Sequence, residues 1–141
     1  MPEKKATEKP ITFEGKRVLV VEDNELNREI AYEILSRAGF TVEEAADGSV
    51  AVEMLKARPE YYYDLVLMDI QMPIMDGYEA TKAMRHLPRK DVTTLPILAM
   101  TANAFEEDKE RALQNGMNGH IAKPLYIDVL YKTLQRVWQK N

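Results

Sequence analysis

The chain has 141 residues, of which 45% are hydrophobic and 30% charged, with a net charge of −4 and no cysteine. That composition fits one ordinary globular domain, which at this size buries roughly 68–70% of its unfolded surface without needing a disulfide or structural metal. It excludes disulfides, thiolate metal sites and a cysteine nucleophile, and the acidic balance argues against broad nucleic-acid affinity, which needs phosphate-neutralising Lys and Arg. No apolar run approaches the ~18 residues of a membrane span, and the N-terminus has no signal-peptide core. A cysteine-free chain is compatible with a cytoplasmic setting.

Residues 1–16 mix Pro2, Pro10, Lys4, Lys5, Lys9, Glu3 and Glu8 with little periodicity and read as a flexible tail or linker. Within them only Ile11 and Phe13 are candidates to dock on the domain, which is expected to span 17–139. From Arg17 onward, short apolar runs alternate with amphipathic stretches, the pattern of a parallel sheet with helical crossovers.

The first strand is Val18–Val21. A helix follows from about Glu25, with Leu26, Ile30, Ile34, Leu35 and Ala38 on one face and Gly39 as its stop. The second strand is Thr41–Glu44, and Asp47-Gly48 turns into a helix with Val50, Ala51, Met54 and Leu55 at helical spacing. Pro59 ends that helix. Leu65–Met68 is continuous and apolar, as a strand buried on both faces should be. The loop Met72-Pro73-Ile74-Met75-Asp76-Gly77 carries a turn signal and leads into a helix over Tyr78–His86.

The fourth strand is Ile97–Met100, and the fourth helix spans Phe105–Asn115 with Gly116 after it. The fifth strand is Gly119–Ala122. The last helix, Tyr126–Trp138, turns Ile127, Leu130, Leu134 and Val137 or Trp138 inward. Five β/α units in one domain predict an α/β, doubly wound five-stranded parallel sheet with strand order 2-1-3-4-5.

Four strands end in residues that handle a phosphoryl group or a metal ion: Glu22-Asp23, Asp69, Thr101 and Lys123-Pro124. Ligands of open parallel sheets bind beyond the carboxyl ends of the strands. Three carboxylates, a hydroxyl and an ammonium should therefore meet there, a set suited to Mg²⁺-assisted phosphoryl transfer onto an aspartate. A carboxylate is a competent nucleophile toward phosphorus and gives an acyl phosphate. Three clustered carboxylates repel one another, which gives a cation an electrostatic reason to sit among them.

Val20-Val21-Glu22-Asp23-Asn24, Leu67-Met68-Asp69-Ile70-Gln71-Met72-Pro73-Ile74-Met75-Asp76-Gly77, Met100-Thr101-Ala102-Asn103-Ala104 and Ala122-Lys123-Pro124 together resemble the response-regulator receiver domain, with its flavodoxin-like (βα)5 fold. In flavour they are most like the receivers of hybrid sensor histidine kinases. The resemblance covers Arg17 to Trp138. It implies that Asp69 is the phospho-acceptor and that Glu22, Asp23, Asp69 and the backbone carbonyl of Gln71 hold Mg²⁺. Glu22 stands where many relatives have Asp, so its longer side chain leaves direct and water-mediated reach to the ion both open.

Lys123 matches the lysine that meets a phosphoryl oxygen, and Pro124 the family's cis Lys-Pro bond. Thr101 matches the switch hydroxyl. Its partner switch position, usually Phe or Tyr, falls on His120, a departure that would let the switch respond weakly to pH.

The partners implied are a histidine kinase or histidine phosphotransfer domain, docking near the first helix and the loop before the last. Neither nucleic-acid binding nor membrane insertion is expected of this chain. The fourth helix, fifth strand and fifth helix often form the signalling face in receivers, and a weak dimer through that face is left open. The module would carry phosphotransfer and autodephosphorylation chemistry without being a turnover enzyme, and it would be cytoplasmic even where a parent kinase is membrane-anchored.

Two other classes fit less well. A Mg²⁺-dependent aspartyl-phosphate phosphatase of the haloacid-dehalogenase type needs a second Asp where Gln71 stands. A flavodoxin-like carrier needs a phosphate-cradling loop where Glu22-Asp23-Asn24 would repel phosphate. A receiver that serves only as a non-phosphorylated scaffold is disfavoured because no chemical position is missing. The chain stops soon after the last helix, which leaves a stand-alone regulator and a piece of a larger kinase both open. Tyr61-Tyr62-Tyr63, the methionines and the charged run Glu106–Arg111 read as structural, and His86 suits a helix C-terminus.

Overall fold

The computed structural model describes residues 10–72, 75–102 and 106–139; the expectations for residues 1–9, Pro73, Ile74, Asn103, Ala104 and Phe105 lie outside them. In chain order the elements are β1 (Arg17–Val21), α1 (Glu25–Ala38), β2 (Thr41–Ala45), α2 (Gly48–Ala57), β3 (Leu65–Asp69) and α3 (Gly77–Arg85), then β4 (Ile97–Thr101), α4 (Glu106–Gln114), β5 (Gly119–Ala122) and α5 (Ile127–Gln139). The strands pair in parallel in the order β2-β1-β3-β4-β5, as the alternation predicts.

Strand side chains alternate between two cores. Val18, Val20, Leu65, Leu67, Leu98 and Met100 face α1 and α5, where Leu35, Leu130 and Leu134 are fully buried. Leu19, Val21, Val66, Met68, Ile97 and Ala99 face the opposite layer with Leu55, Met84 and Ala112 of α2, α3 and α4.

Local chemistry sets the helix ends. Asn24 caps α1 by accepting from the Asn27 N–H at 2.9 Å, and Gly39 closes it at φ 114°. Asp47 caps α2, and Asp76 forms a capping box with Glu79 on α3.

One expectation fails on the face of α1. Leu26 and Ile30 are 64% and 46% exposed, and Ala31 and Leu35 carry the burial instead. Helical spacing places Leu26 and Ile30 beside Ile34. At about 3.6 residues per turn, however, Leu26 lies half a turn from Leu35, so the five do not share one face and the sheet covers the Ala31/Leu35 side. Val50, grouped with the inward residues of α2, is likewise 41% exposed. Ile11 and Phe13 do dock: Phe13 is buried and Ile11 packs partly against the α1/α5 core.

A 3-10 turn at Asp91–Thr93 has no counterpart among the expected elements. There the half-buried Arg89 guanidinium meets Asp91 at 2.9 Å and donates to the carbonyls of Leu55, Arg58 and Pro59. Asp91 also accepts from the N–H of Tyr61, which is held at φ 65°. Of the tyrosine triplet, Tyr63 joins the α2/α3 core while the hydroxyls of Tyr62 and Tyr63 both donate to Glu43 at 2.7 Å.

Candidate functional site

Parallel register brings the strand ends level: Val21 lies opposite Met68, Asp69 opposite Met100, and Thr101 opposite Ala122. The residues that follow these positions therefore surround one edge of the sheet. Asp69 and Glu22 are each 3% exposed, while Asp23 is open to solvent. One carboxylate oxygen from each of the three falls within 4.8 Å of the others.

Lys123 Nζ bridges the two buried acids, 3.1 Å from Glu22 Oε1 and 3.4 Å from Asp69 Oδ1. Its backbone N–H donates to the Thr101 carbonyl at 2.8 Å, so the lysine and the buried Thr101 are tied through their main chains. The Lys123-Pro124 bond is cis, as the resemblance implies.

Electrostatics reflect the crowding. Burial, followed by the charge of Glu22, pushes Asp69 up to about pKa 6 against the opposing pull of the Gln71 N–H and of Lys123. Burial alone would lower the Lys123 ammonium, but Glu22 and Asp69 hold it above its ordinary value. The Gln71 N–H donates to Asp69 Oδ1 at 3.1 Å, which orients that carboxylate. His120 is half-buried on β5, level with Ala99. His86 is exposed, its Nδ1 2.7 Å from the Lys82 carbonyl at the end of α3.

Three positioning features escaped the sequence reading. Arg28 Nη1 donates to the Glu22 carbonyl at 2.9 Å, and the Asn24 N–H donates to Glu22 Oε2 at 3.2 Å. Together they fix the buried acid from the α1 side. Gly77 packs so closely under β3 that a Cβ there would collide with the Asp69 carbonyl and Ile70 Cα. The Asp76-Gly77 turn signal was the one trace of this in the sequence; nothing in it marks Arg28 as a loop clamp.

The donor set is hard oxygen with excess negative charge, which suits Mg²⁺ better than a soft transition metal. Burial of two like charges side by side, relieved only in part by Lys123 and by the Gln71 and Asn24 N–H groups, supplies the electrostatic demand for a cation. Among the described residues this is the one acidic cluster with metal-ligand geometry.

Comparison with known proteins agrees with this arrangement. The family model for the response regulator receiver domain matches residues 18–135. Hybrid signal transduction histidine kinase I of Dictyostelium discoideum is 38% identical over 120 residues, covering 84% of this chain and 7% of that protein. Sensor histidine kinase RcsC of Escherichia coli is 38% identical over 117 residues, covering 83% of this chain and 12% of the kinase. The chain thus spans only about a tenth of these relatives.

The receiver domain of sensor histidine kinase PA1611 from Pseudomonas aeruginosa superposes with a TM-score of 0.75 at 39% identity, covering 86% of this chain and 96% of that one; its structure has a magnesium ion coordinated in the active-site cleft. Chemotaxis protein CheY4 of Vibrio cholerae superposes with a TM-score of 0.77 at 34% identity, covering 87% of this chain and 98% of that one. The fold and the strand-end site define a signalling receiver of two-component systems. This chain belongs to the response-regulator receiver family.

No described helix is long and apolar enough to cross a membrane.

Proposed function

We propose that the domain accepts a phosphoryl group from a phosphohistidine onto Asp69. The observation that carries this reading is a buried carboxylate bracketed by two further acids and a lysine at one sheet edge. An Asp69 oxygen forms the bond to phosphorus as the histidine nitrogen–phosphorus bond breaks, and the imidazole nitrogen keeps the electron pair. Lys123, already positioned over Asp69, neutralises the transferred oxygens as a compact point charge. Glu22, Asp23, Asp69 and the Gln71 carbonyl would hold Mg²⁺, which offsets charge on the phosphoryl oxygens when bound.

Thr101 would then donate to the new acceptor oxygens, and His120 would follow it as the second switch residue. The module stores and passes the group rather than turning over a substrate. Intact-mass measurement after incubation with a small phosphodonor should show one added phosphoryl group with Mg²⁺ and none with chelator. Uptake that ignores chelation would remove the metal from the mechanism.

The exposed apolar ridge of α1 gives the partner reading a physical basis. Leu26 and Ile30 stand out beside Asn24, Asn27 and Arg28, and Tyr126 is 61% exposed beyond Pro124 and Leu125. A histidine-bearing helix of a kinase or phosphotransfer domain could lay its apolar face there, next to Asp69. Chemical-shift mapping with a phosphotransfer domain should perturb these residues. Shifts confined to α2 and α3 would rule out this docking mode.

A further inference from the structure

The polypeptide leading into β1 is built into the domain. Phe13 is 7% exposed, its ring stacked on Phe40 at 4.5 Å and edge-on to Tyr131 at 5.7 Å and Trp138 at 6.2 Å. The Ile11 N–H donates to the Tyr131 hydroxyl at 3.1 Å, and the Gly15 N–H to the Gly39 carbonyl at 3.3 Å. The Thr41 N–H donates to the Lys16 carbonyl at 2.8 Å, and the Lys16 ammonium lies 5.6 Å from the centre of the Trp138 ring. Two of these partners, Tyr131 and Trp138, belong to α5. The family match begins only at residue 18, beyond this segment.

Two clefts border the segment. One cleft of about 490 Å³ is lined by Ile11 and Thr12 together with Tyr63, Asp64, Pro96 and Trp138. A second, of about 480 Å³, is lined by the same two residues with Ala38, Ile127 and Tyr131. One aromatic plug and a few hydrogen bonds therefore hold it. Segments with few buried contacts open locally at lower free energy than the core.

Helix α5 links this strap to the opposite edge of the sheet. It begins shortly after Lys123-Pro124 and runs ~16 Å to Trp138 at 1.5 Å per residue. Its Leu130 and Leu134 share one buried cluster with Phe13, with Met100 next to Thr101, and with Ile121 next to His120. A shift of α5 is felt at both ends because a close-packed cluster transmits displacement rather than absorbing it.

We propose that residues 10–16 form a strap coupling the polypeptide that precedes the domain to the Asp69 site through α5, an inference that rests on the functional reading above. Docking of the strap and occupation of the site each favour one placement of α5, so each must alter the affinity of the other by the same factor. Tension or binding on the preceding polypeptide then sets the readiness of Asp69, and phosphorylation is felt in return by that polypeptide.

Trp138 is the only tryptophan and reports on the strap directly. Amide exchange at Ile11, Gly15 and Lys16 should differ by at least about threefold between Mg²⁺ with beryllium fluoride, a phosphoryl mimic, and Mg²⁺ alone, with a shift in Trp138 emission. Phe13→Ala should change beryllium fluoride affinity by at least about threefold: weaker if occupancy protects the strap, tighter if it loosens it. Tyr131→Phe, which removes only the hydroxyl receiving the Ile11 N–H, should act in the same direction with a smaller factor, and it carries the test if Phe13→Ala fails to fold.

Unchanged exchange, emission and affinity in a protein whose Asp69 accepts a phosphoryl group overturn the coupling alone. A folded protein whose Asp69 accepts none overturns the functional reading and the coupling with it.

Discussion

The Asp69→Asn protein is expected to take up no phosphoryl group and, without divalent metal, to melt above the wild type at pH 7. Loss of uptake follows from removing the nucleophile while keeping its volume. The gain in stability follows from the electrostatics. Asp69 sits near pKa 6 in the fold against an ordinary value of 3.8, because burial and Glu22 outweigh the Gln71 N–H and Lys123.

A folded-state pKa above the unfolded one means that the fold binds the proton more tightly. The contribution of Asp69 is therefore most favourable below about pH 4, falls between about pH 4 and 6, and is a constant penalty above. One pKa unit corresponds to about 1.4 kcal/mol, and neighbouring charges share the balance, so relief on the order of 1–2 kcal/mol is expected. For a domain of this size that is about 3–7 °C in melting temperature. Mg²⁺ should narrow or reverse the difference, since it stabilises the wild type by mass action and has one carboxylate fewer in the variant. Calorimetry at pH 4 and pH 7, with chelator and with Mg²⁺, checks the sign. A variant less stable than wild type at pH 7 in chelator would show that Asp69 is not under electrostatic strain, and persistent uptake would move the acceptor elsewhere.

Arg89→Ala should lower stability by about 3 kcal/mol while leaving Mg²⁺-dependent phosphoryl uptake intact. The guanidinium pairs with Asp91, which is 4% exposed, and satisfies three carbonyls around the end of α2. Removing one partner of a buried pair strands the other charge, which typically costs 3–5 kcal/mol. Burial tends to raise Asp91, but Arg89 and the Tyr61 N–H bring it below its ordinary 3.8. The pair's contribution is thus present above about pH 4 and is lost as pH falls further.

Asp91 precedes β4, at the edge of the sheet opposite Asp69, so chemistry and stability should separate cleanly. Denaturant unfolding combined with the mass assay decides it. A stable Arg89→Ala protein would mean that water replaces the clamp without loss, and lost uptake in a folded variant would mean that the two edges are coupled.

Much of the molecule was legible before its coordinates. Strand positions could be read because strands buried on both faces are continuous apolar runs, and the order 2-1-3-4-5 because right-handed crossovers leave few alternatives. Asp69, Glu22, Asp23, Thr101 and Lys123 stood out because each ends a strand or comes just after one, and in a parallel sheet all such positions share one edge. Their roles in phosphoryl transfer remain the proposal that the measurements above address.

What sequence alone determined here is periodic or punctuated: strands, helix stops at Gly39 and Pro59, the turns at Asp47-Gly48 and Asp76-Gly77, and the strand-end acids. Tertiary structure decided what depends on distant neighbours. Nine residues of helix put Leu26 half a turn away from Leu35, and only the placement of α1 on the sheet decides that Leu35 is the buried one. The sequence offered Phe13 as a candidate to dock, but only the fold decided against what, because its partners Phe40, Tyr131 and Trp138 lie far along the chain. The clamp of Arg28 on the Glu22 carbonyl and the close fit of Gly77 under Asp69 arise from three-dimensional proximity, which no local pattern encodes.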